Sequence, residues 1–187
     1  MINKFKKIKG FTLIETLIAV LLLVTAVTGP LTIASRGLVS ATVAKDQIVA
    51  YYLAQDAIEY VRWVRDTNQL GGQNWLAGLD GADGAPNCII IVDSNDQPCT
   101  VDVFKAPGTE FMSCQGLGGS CSVLYYDNSN GYYTHTSTLN TRTIFRRVIE
   151  LAPVTTDEYL LTAHVQWTST GGSTRDVIIQ EHIYNWQ

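Results

Sequence analysis

The apolar positions of this chain follow three regimes along its length. From Phe11 to Val27 nearly every residue is apolar and Glu15 is the single charge. A run of that kind leaves no side for water, so it reads as a helix made for lipid. Phe11 to Pro30 is 20 residues, which as a helix extends roughly 30 Å, about the thickness of a hydrocarbon core. Gly29-Pro30 then interrupts the pattern. Proline has no N–H to donate and crowds the preceding turn, so a kink or a melted turn is expected there before the helix resumes.

In the second regime Val39, Val43, Ala50, Leu53, Ala57, Val61 and Val64 recur at steps of three, four or seven. That spacing traces one stripe of an amphipathic helix. Asp56, Glu59, Arg62 and Asp66 lie off the stripe, at separations that let opposite charges pair. Asn68, Gly71, Gly72 and Asn74 end the helix near Thr67. The third regime begins after Arg142, where the period becomes two. Tyr159, Leu161, Ala163, Val165 and Trp167 alternate with Leu160, Thr162, His164, Gln166 and Thr168, the mark of a strand with one buried face. Thr143 to Leu151 and Thr174 to Ile183 flank it, and Ser169-Thr170-Gly171-Gly172-Ser173 reads as a hairpin turn.

These regimes predict an α+β fold: a long N-terminal helix packed on a C-terminal antiparallel sheet, with the stripe of the helix covering the apolar face of a three-stranded meander. The expected organisation is a leader at 1–10, a membrane or filament-core helix at 11–29, an amphipathic helix at 30–68, a loop region at 69–141 and the meander at 142–187. The loop region is rich in Gly, Asn, Ser and Asp. Cys88 to Val92 and Ser122 to Tyr126 are its candidate strands, and low regular content is expected elsewhere.

Charge sharpens the picture. Lys4, Lys6, Lys7 and Lys9 precede the apolar run with no acid among them, as on the cytoplasmic flank of a membrane segment. Without these four of its 13 Lys plus Arg, the chain has nine bases against 17 acids, and its net charge moves from −4 to −8. An acidic head repels phosphate backbones, so no nucleic-acid binding is expected of the subunit alone; Arg142, Arg146 and Arg147 offer the one local basic patch.

Cys88, Cys99, Cys114 and Cys121 all fall in the polar middle. An even set confined to a segment read as exported suggests two disulfides, and no pair has the two-residue spacing of a zinc knuckle. Three pairings exist in principle. Cys88 with Cys99 and Cys114 with Cys121 is preferred, because each closes a short local loop.

The segment Lys7-Ile8-Lys9-Gly10-Phe11-Thr12-Leu13-Ile14-Glu15 joins a basic leader ending in glycine to a large apolar residue, with a lone glutamate four positions later. It closely resembles the processing site of type IV prepilins and type II secretion pseudopilins. The resemblance implies cleavage after Gly10 by a prepilin peptidase, N-methylation of the new Phe11 amine, and packing of the apolar helix among other pilin or pseudopilin helices on an inner-membrane assembly platform. It also implies a contact role for Thr12, beside the plain reading of a spare polar residue. Ala54 to Arg62 and Arg65 to Asn68 resemble the helix end of minor pilins of the modification-protein type, and Trp167 to Trp186 is similar to the same group. Pro30, the twentieth residue counted from Phe11, comes slightly earlier than the proline many pilins carry.

Glu15 has a physical reading of its own. A carboxylate at membrane depth costs a few kcal/mol unless paired or protonated. The amine freed at Phe11 on a neighbouring subunit would neutralise it, and such a pair would set the register of assembly. The plain alternative is a tolerated polar residue in an ordinary signal segment.

Other chemistry has thin support. His135, His164 and His182 are far apart and suggest no triad. Gly116-Leu117-Gly118-Gly119 lacks the lysine of a phosphate loop. Asp93-Ser94-Asn95-Asp96 and Asp127-Asn128-Ser129-Asn130-Gly131 carry oxygen ligands, but neither matches the calcium loop and both suit turns. The expected protein is therefore no enzyme and carries no metal or cofactor. It is a structural subunit anchored by a single pass, with its C-terminal domain exported to a periplasmic or cell-surface filament. The competing reading is a signal-anchored surface adhesin that joins no filament.

Overall fold

The computed structural model describes residues 10–90, 97–169 and 171–186. Residues 1–9 of the leader, Asp93 to Asp96, the end of the candidate strand at Ile91-Val92, and Thr170 of the expected turn lie outside the described residues. The chain divides into two units, up to Thr42 and from Val43 onward.

One helix, α1, runs Leu13–Leu70 and contains Pro30. It is assigned as helix through Gly29-Pro30, so the melted turn expected there is not seen. Pro30 still has no N–H for the carbonyl four residues back. Throughout the first unit the helix is exposed apart from Thr42. Its hydroxyls bond back to the preceding turn: Thr25 Oγ1 donates to the Leu21 carbonyl at 3.0 Å, Thr32 to Thr28 at 2.8 Å and Ser35 to Leu31 at 2.9 Å. Such back-bonding satisfies hydroxyls inside an apolar stretch without outside partners.

In the second unit the same helix turns amphipathic in fact as well as in pattern. Ala50, Leu53, Ala54, Ala57, Ile58, Val61 and Val64 are buried, including five of the seven stripe positions; Val39 stays exposed and Val43 is half-buried. Three alanines on this face let the helix backbone approach the sheet closely. Glu59 and Arg62 pair at 2.9 Å on the outer side, and Arg62 reaches Glu181 at 2.8 Å.

Among the described residues the sheet has seven strands: β1 (Cys99–Val101), β2 (Phe111–Ser113), β3 (Val123–Asp127), β4 (Tyr132–Thr134), β5 (Thr141–Thr155), β6 (Glu158–Thr168) and β7 (Thr174–Tyr184). The last three form the expected antiparallel meander, with Phe145 opposite Trp167 and Ala163 opposite Ile179. At the β6–β7 turn Gly171 and Gly172 take positive φ values of 118° and 83°, which side chains with a Cβ seldom adopt. The loop region meets expectation at β3, which overlaps the candidate strand Ser122 to Tyr126, and otherwise departs from it. It contributes four strands, with β3 and β1 sharing one edge of β5 while β6 lies along the other. Each has only three to five residues, too few for a period of two to stand out. Ile89 of the other candidate strand makes one parallel bridge to Leu151.

Helix and sheet meet in one core, where Leu53, Ala57 and Val61 join Phe145, Ile149, Leu161, Ala163, Val165, Trp167 and Ile183. Cys88 with Cys99 and Cys114 with Cys121 lie at disulfide distance, with Cα separations of 5.1 and 5.7 Å, which fits the preferred pairing.

Candidate processing and assembly segment

Gly10 is exposed and outside any regular element. Phe11 follows at 80% exposure, so none of the described residues covers the junction between them. The helix begins at Leu13 because Thr12 caps it: the Glu15 N–H donates to Thr12 Oγ1 at 3.3 Å and to the Thr12 carbonyl at 3.1 Å. Thr12-Leu13-Ile14-Glu15 is thus the Thr-x-x-Glu spacing of a capping box, with the acid in the first turn where the helix dipole favours negative charge. Sequence reasoning missed this role for Thr12, although the spacing itself carried the signal.

The Glu15 carboxylate is exposed and has no ion-pair partner among the described residues. Around it Leu13, Ile14, Leu17 and Ile18 are exposed as well. This helix is long and apolar enough to cross a membrane, with a mean hydropathy of 2.3 over its best 18-residue window and none of that window buried. A charge that no described residue offsets, set in an uncovered apolar surface, needs a neutralising partner in any dry environment.

The other candidates are tied into structure. Arg147 is 1% exposed. Its Nη1 donates to the Leu53 carbonyl at 2.8 Å and to Asp56 Oδ2 at 2.9 Å, and its Nη2 to the Val101 carbonyl at 2.7 Å. Arg146 Nη1 donates to the carbonyls of Leu117 and Gly119, both at 3.0 Å. The basic patch considered from sequence therefore does not form, since these two cations face inward to carbonyls. His135 lies beside them. Burial, then the Arg147 charge, pushes its imidazole down to about 4, so it is neutral at pH 7. It bonds to the Thr100 hydroxyl through Nε2 and to the Val123 carbonyl through Nδ1 at 3.0 Å. Asp102 Oδ2, also buried, accepts from Thr134 Oγ1 at 2.6 Å and from the His135 N–H at 2.9 Å. His164 and His182 sit on separate strands beside Asp176 and Glu158.

At the β3–β4 turn Asp127 Oδ1 accepts from the Ser129 and Asn130 N–H groups, at 2.7 and 3.1 Å, and Oδ2 from Asn130 Nδ2 at 2.9 Å. Those bonds, led by that from the Asn130 side chain, hold its carboxyl below the usual range. This is turn chemistry, as its sequence suggests. Among the described residues no three His, Cys, Asp or Glu side chains gather where they could hold a metal ion.

Residues 5–29 match the model of the prokaryotic N-terminal methylation motif. The match spans the basic flank, Gly10, Phe11, Glu15 and the apolar run up to Gly29, and it supports a type IV pilin-like, N-terminally processed chain; proteins of that kind are structural rather than enzymatic. A single apolar N-terminal helix fits a membrane-anchored pilin. No curated protein and no solved structure matches the chain.

Proposed function

We propose that this chain is a minor pilin or pseudopilin: cut between Gly10 and Phe11 by a prepilin peptidase, methylated on the new amine, and assembled through its N-terminal helix into a type IV pilus-like or type II secretion-like filament. The observation that carries this reading is Glu15, without an ion-pair partner among the described residues, in an exposed apolar helix just after a cleavage-type junction and within the matched motif. Before assembly, lipid covers the apolar surface. In the filament, neighbouring helices take its place, and the Phe11 amine of an adjacent subunit offsets the Glu15 charge. The acidic head, with Cys88–Cys99 and Cys114–Cys121 oxidised, faces the exported side.

The Glu15 charge at membrane depth costs about 3 kcal/mol on insertion scales, and an ion pair with the neighbouring amine would recover much of that. Glu15→Ala should therefore leave processing intact and lower incorporation at least about tenfold, equivalent to about 1.4 kcal/mol. Incorporation is read by immunoblot of sheared filaments against whole cells, and mass measurement of the mature N-terminus checks processing. A methylated Phe11 is expected. If the mature chain begins beyond Pro30, the proposal is wrong; if the parent chain is absent from sheared filaments, the helix is a plain anchor, and if Glu15→Ala enters filaments as the parent does, the Glu15–amine pair is refuted.

A further inference from the structure

Where α1 ends, the chain turns back and builds a cleft of about 490 Å³ against the end of β7, inside the roughly 300–1,000 Å³ range of small-molecule sites. Its lining includes Gln69, Gln73, Asn74, Trp75, Asn185 and Trp186. From these neighbours we infer that the cleft is a binding site for a neutral saccharide, a mono- or disaccharide unit of a surface glycan. This goes beyond the filament role and holds whether or not the chain assembles.

The chemistry of the walls points to that ligand class. Four carboxamides and two indoles line the cleft, and no charged side chain among the described residues does. A carboxamide both donates and accepts, as does a sugar hydroxyl. An indole offers a broad apolar face with few rotatable bonds, suited to the C–H face of a pyranose. Trp186 is half exposed and serves as an open platform, whereas Trp75 is 8% exposed and packs edge-on against Tyr159 with centroids 5.6 Å apart. An anionic ligand would find no cation among the described lining residues, and a lipid chain would leave Gln69 Oε1 without a partner.

The cleft is held in shape before any ligand arrives. Gly72, at φ 68°, reverses the chain after the helix, and its N–H donates to the Gln69 carbonyl at 3.0 Å. Asn68 Nδ2 pins the returning loop through the Trp75 and Ala77 carbonyls, at 3.3 and 2.9 Å. On the opposite wall Asn185 Nδ2 donates to Asp157 Oδ1 at 3.1 Å, and Asn185 Oδ1 accepts from Gln69 Nε2 at 3.0 Å. That relay leaves Gln69 Oε1 buried with no hydrogen-bond partner among the described residues. Native structures seldom tolerate such an oxygen, and a ligand hydroxyl reaching it through a small amide rotation would satisfy it. Preorganisation of this kind lowers the cost of binding.

The test uses the full chain in a detergent without a sugar headgroup, dodecylphosphocholine, and saturation-transfer NMR with glucose, galactose, mannose, N-acetylglucosamine, N-acetylgalactosamine, lactose and maltose, plus sialic acid as an anionic probe. At least one neutral sugar should bind, with Kd at or below about 10 mM. Trp186→Ala and Gln73→Ala, both at exposed positions, should weaken it, the first at least about tenfold, while Trp63→Ala elsewhere on the surface leaves it unchanged. Absence of binding by every neutral sugar, binding of sialic acid alone, or binding indifferent to both cleft variants would overturn the inference.

Discussion

Replacing Arg147 by methionine tests whether the buried guanidinium holds helix and sheet together. Methionine keeps most of the aliphatic volume, so the cavity cost stays small. What is lost is the set of bonds from Nη1 and Nη2 to the Leu53 carbonyl, Asp56 and the Val101 carbonyl. Asp56 is half exposed, so water resolvates its carboxylate, and its share is discounted to below about 1 kcal/mol. The Val101 carbonyl has no such recourse, because Val101 is fully buried; leaving it unpaired costs about 1–3 kcal/mol. The Leu53 carbonyl also lies in a helix and keeps its ladder bond, so its loss counts less. Opposing these terms is the relief of burying a full charge whose Nε already lacks a partner among the described residues. The balance predicts that Arg147→Met destabilises by about 2 kcal/mol and Arg147→Ala, which adds a cavity, by about 3–5 kcal/mol. Urea unfolding followed by tryptophan fluorescence measures both. A methionine variant as stable as the parent, or more so, would refute the assignment of Arg147 as the tie between α1, β1 and β5 and would show that its desolvation cost exceeds its bonds.

Two further outcomes follow from the same region. Because the His135 imidazole is held near 4 in the folded chain against 6.5 when free, the unfolded chain binds the extra proton first. Stability should then be full above pH 6.5 and fall by about 3 kcal/mol towards pH 4; His135→Gln should flatten that part of a urea-unfolding pH profile. Replacing Cys88 and Cys99 together by serine opens a loop of separation 11 and should cost about 2–3 kcal/mol. Non-reducing peptide mapping of the parent should find Cys88 with Cys99 and Cys114 with Cys121, and any other pairing would show the loop-length argument to be mistaken.

Patterns that span many residues were legible in the sequence. The stripe from Ala50 to Val64 and the alternation from Tyr159 to Trp167 each repeat often enough to fix a face, and both faces are buried as read except at Tyr159, which is half-buried. The methylation-type junction was equally legible, since it needs only Gly10, Phe11 and Glu15 in order. What escaped was structure made by partners distant in sequence. β1 and β2 are three residues each; β1 lies along an edge of β5 and β2 along β1, which no local period reveals. Arg147 shares the phase of Phe145, Ile149 and Leu151 in β5, so the alternation places it inward, but the partners that satisfy it there, the Leu53 and Val101 carbonyls, are distant in sequence. The Gln69–Asn185 contact joins positions 116 residues apart, so the cleft had no local signature.

The weakest stretch of α1 is one that the rest of the described chain leaves uncovered. Between Thr25 and Val43 the helix holds Gly29, Pro30 and Gly37 together with many β-branched residues, each less favourable than alanine in a helix. Nothing lies within 4 Å of where a Cβ would stand on Gly29 or Gly37, and Leu31, Ile33, Leu38 and Val39 are exposed. Packing within the chain therefore does not stabilise these turns, in contrast to those from Ala50 onward, where the sheet face does. Short or weak helices are marginal in water, so this segment holds its helical form only against lipid or other helices. The glutamate near its start and the apolar surface along its length both lack cover among the described residues, and cover of that kind is what the proposed assembly would supply.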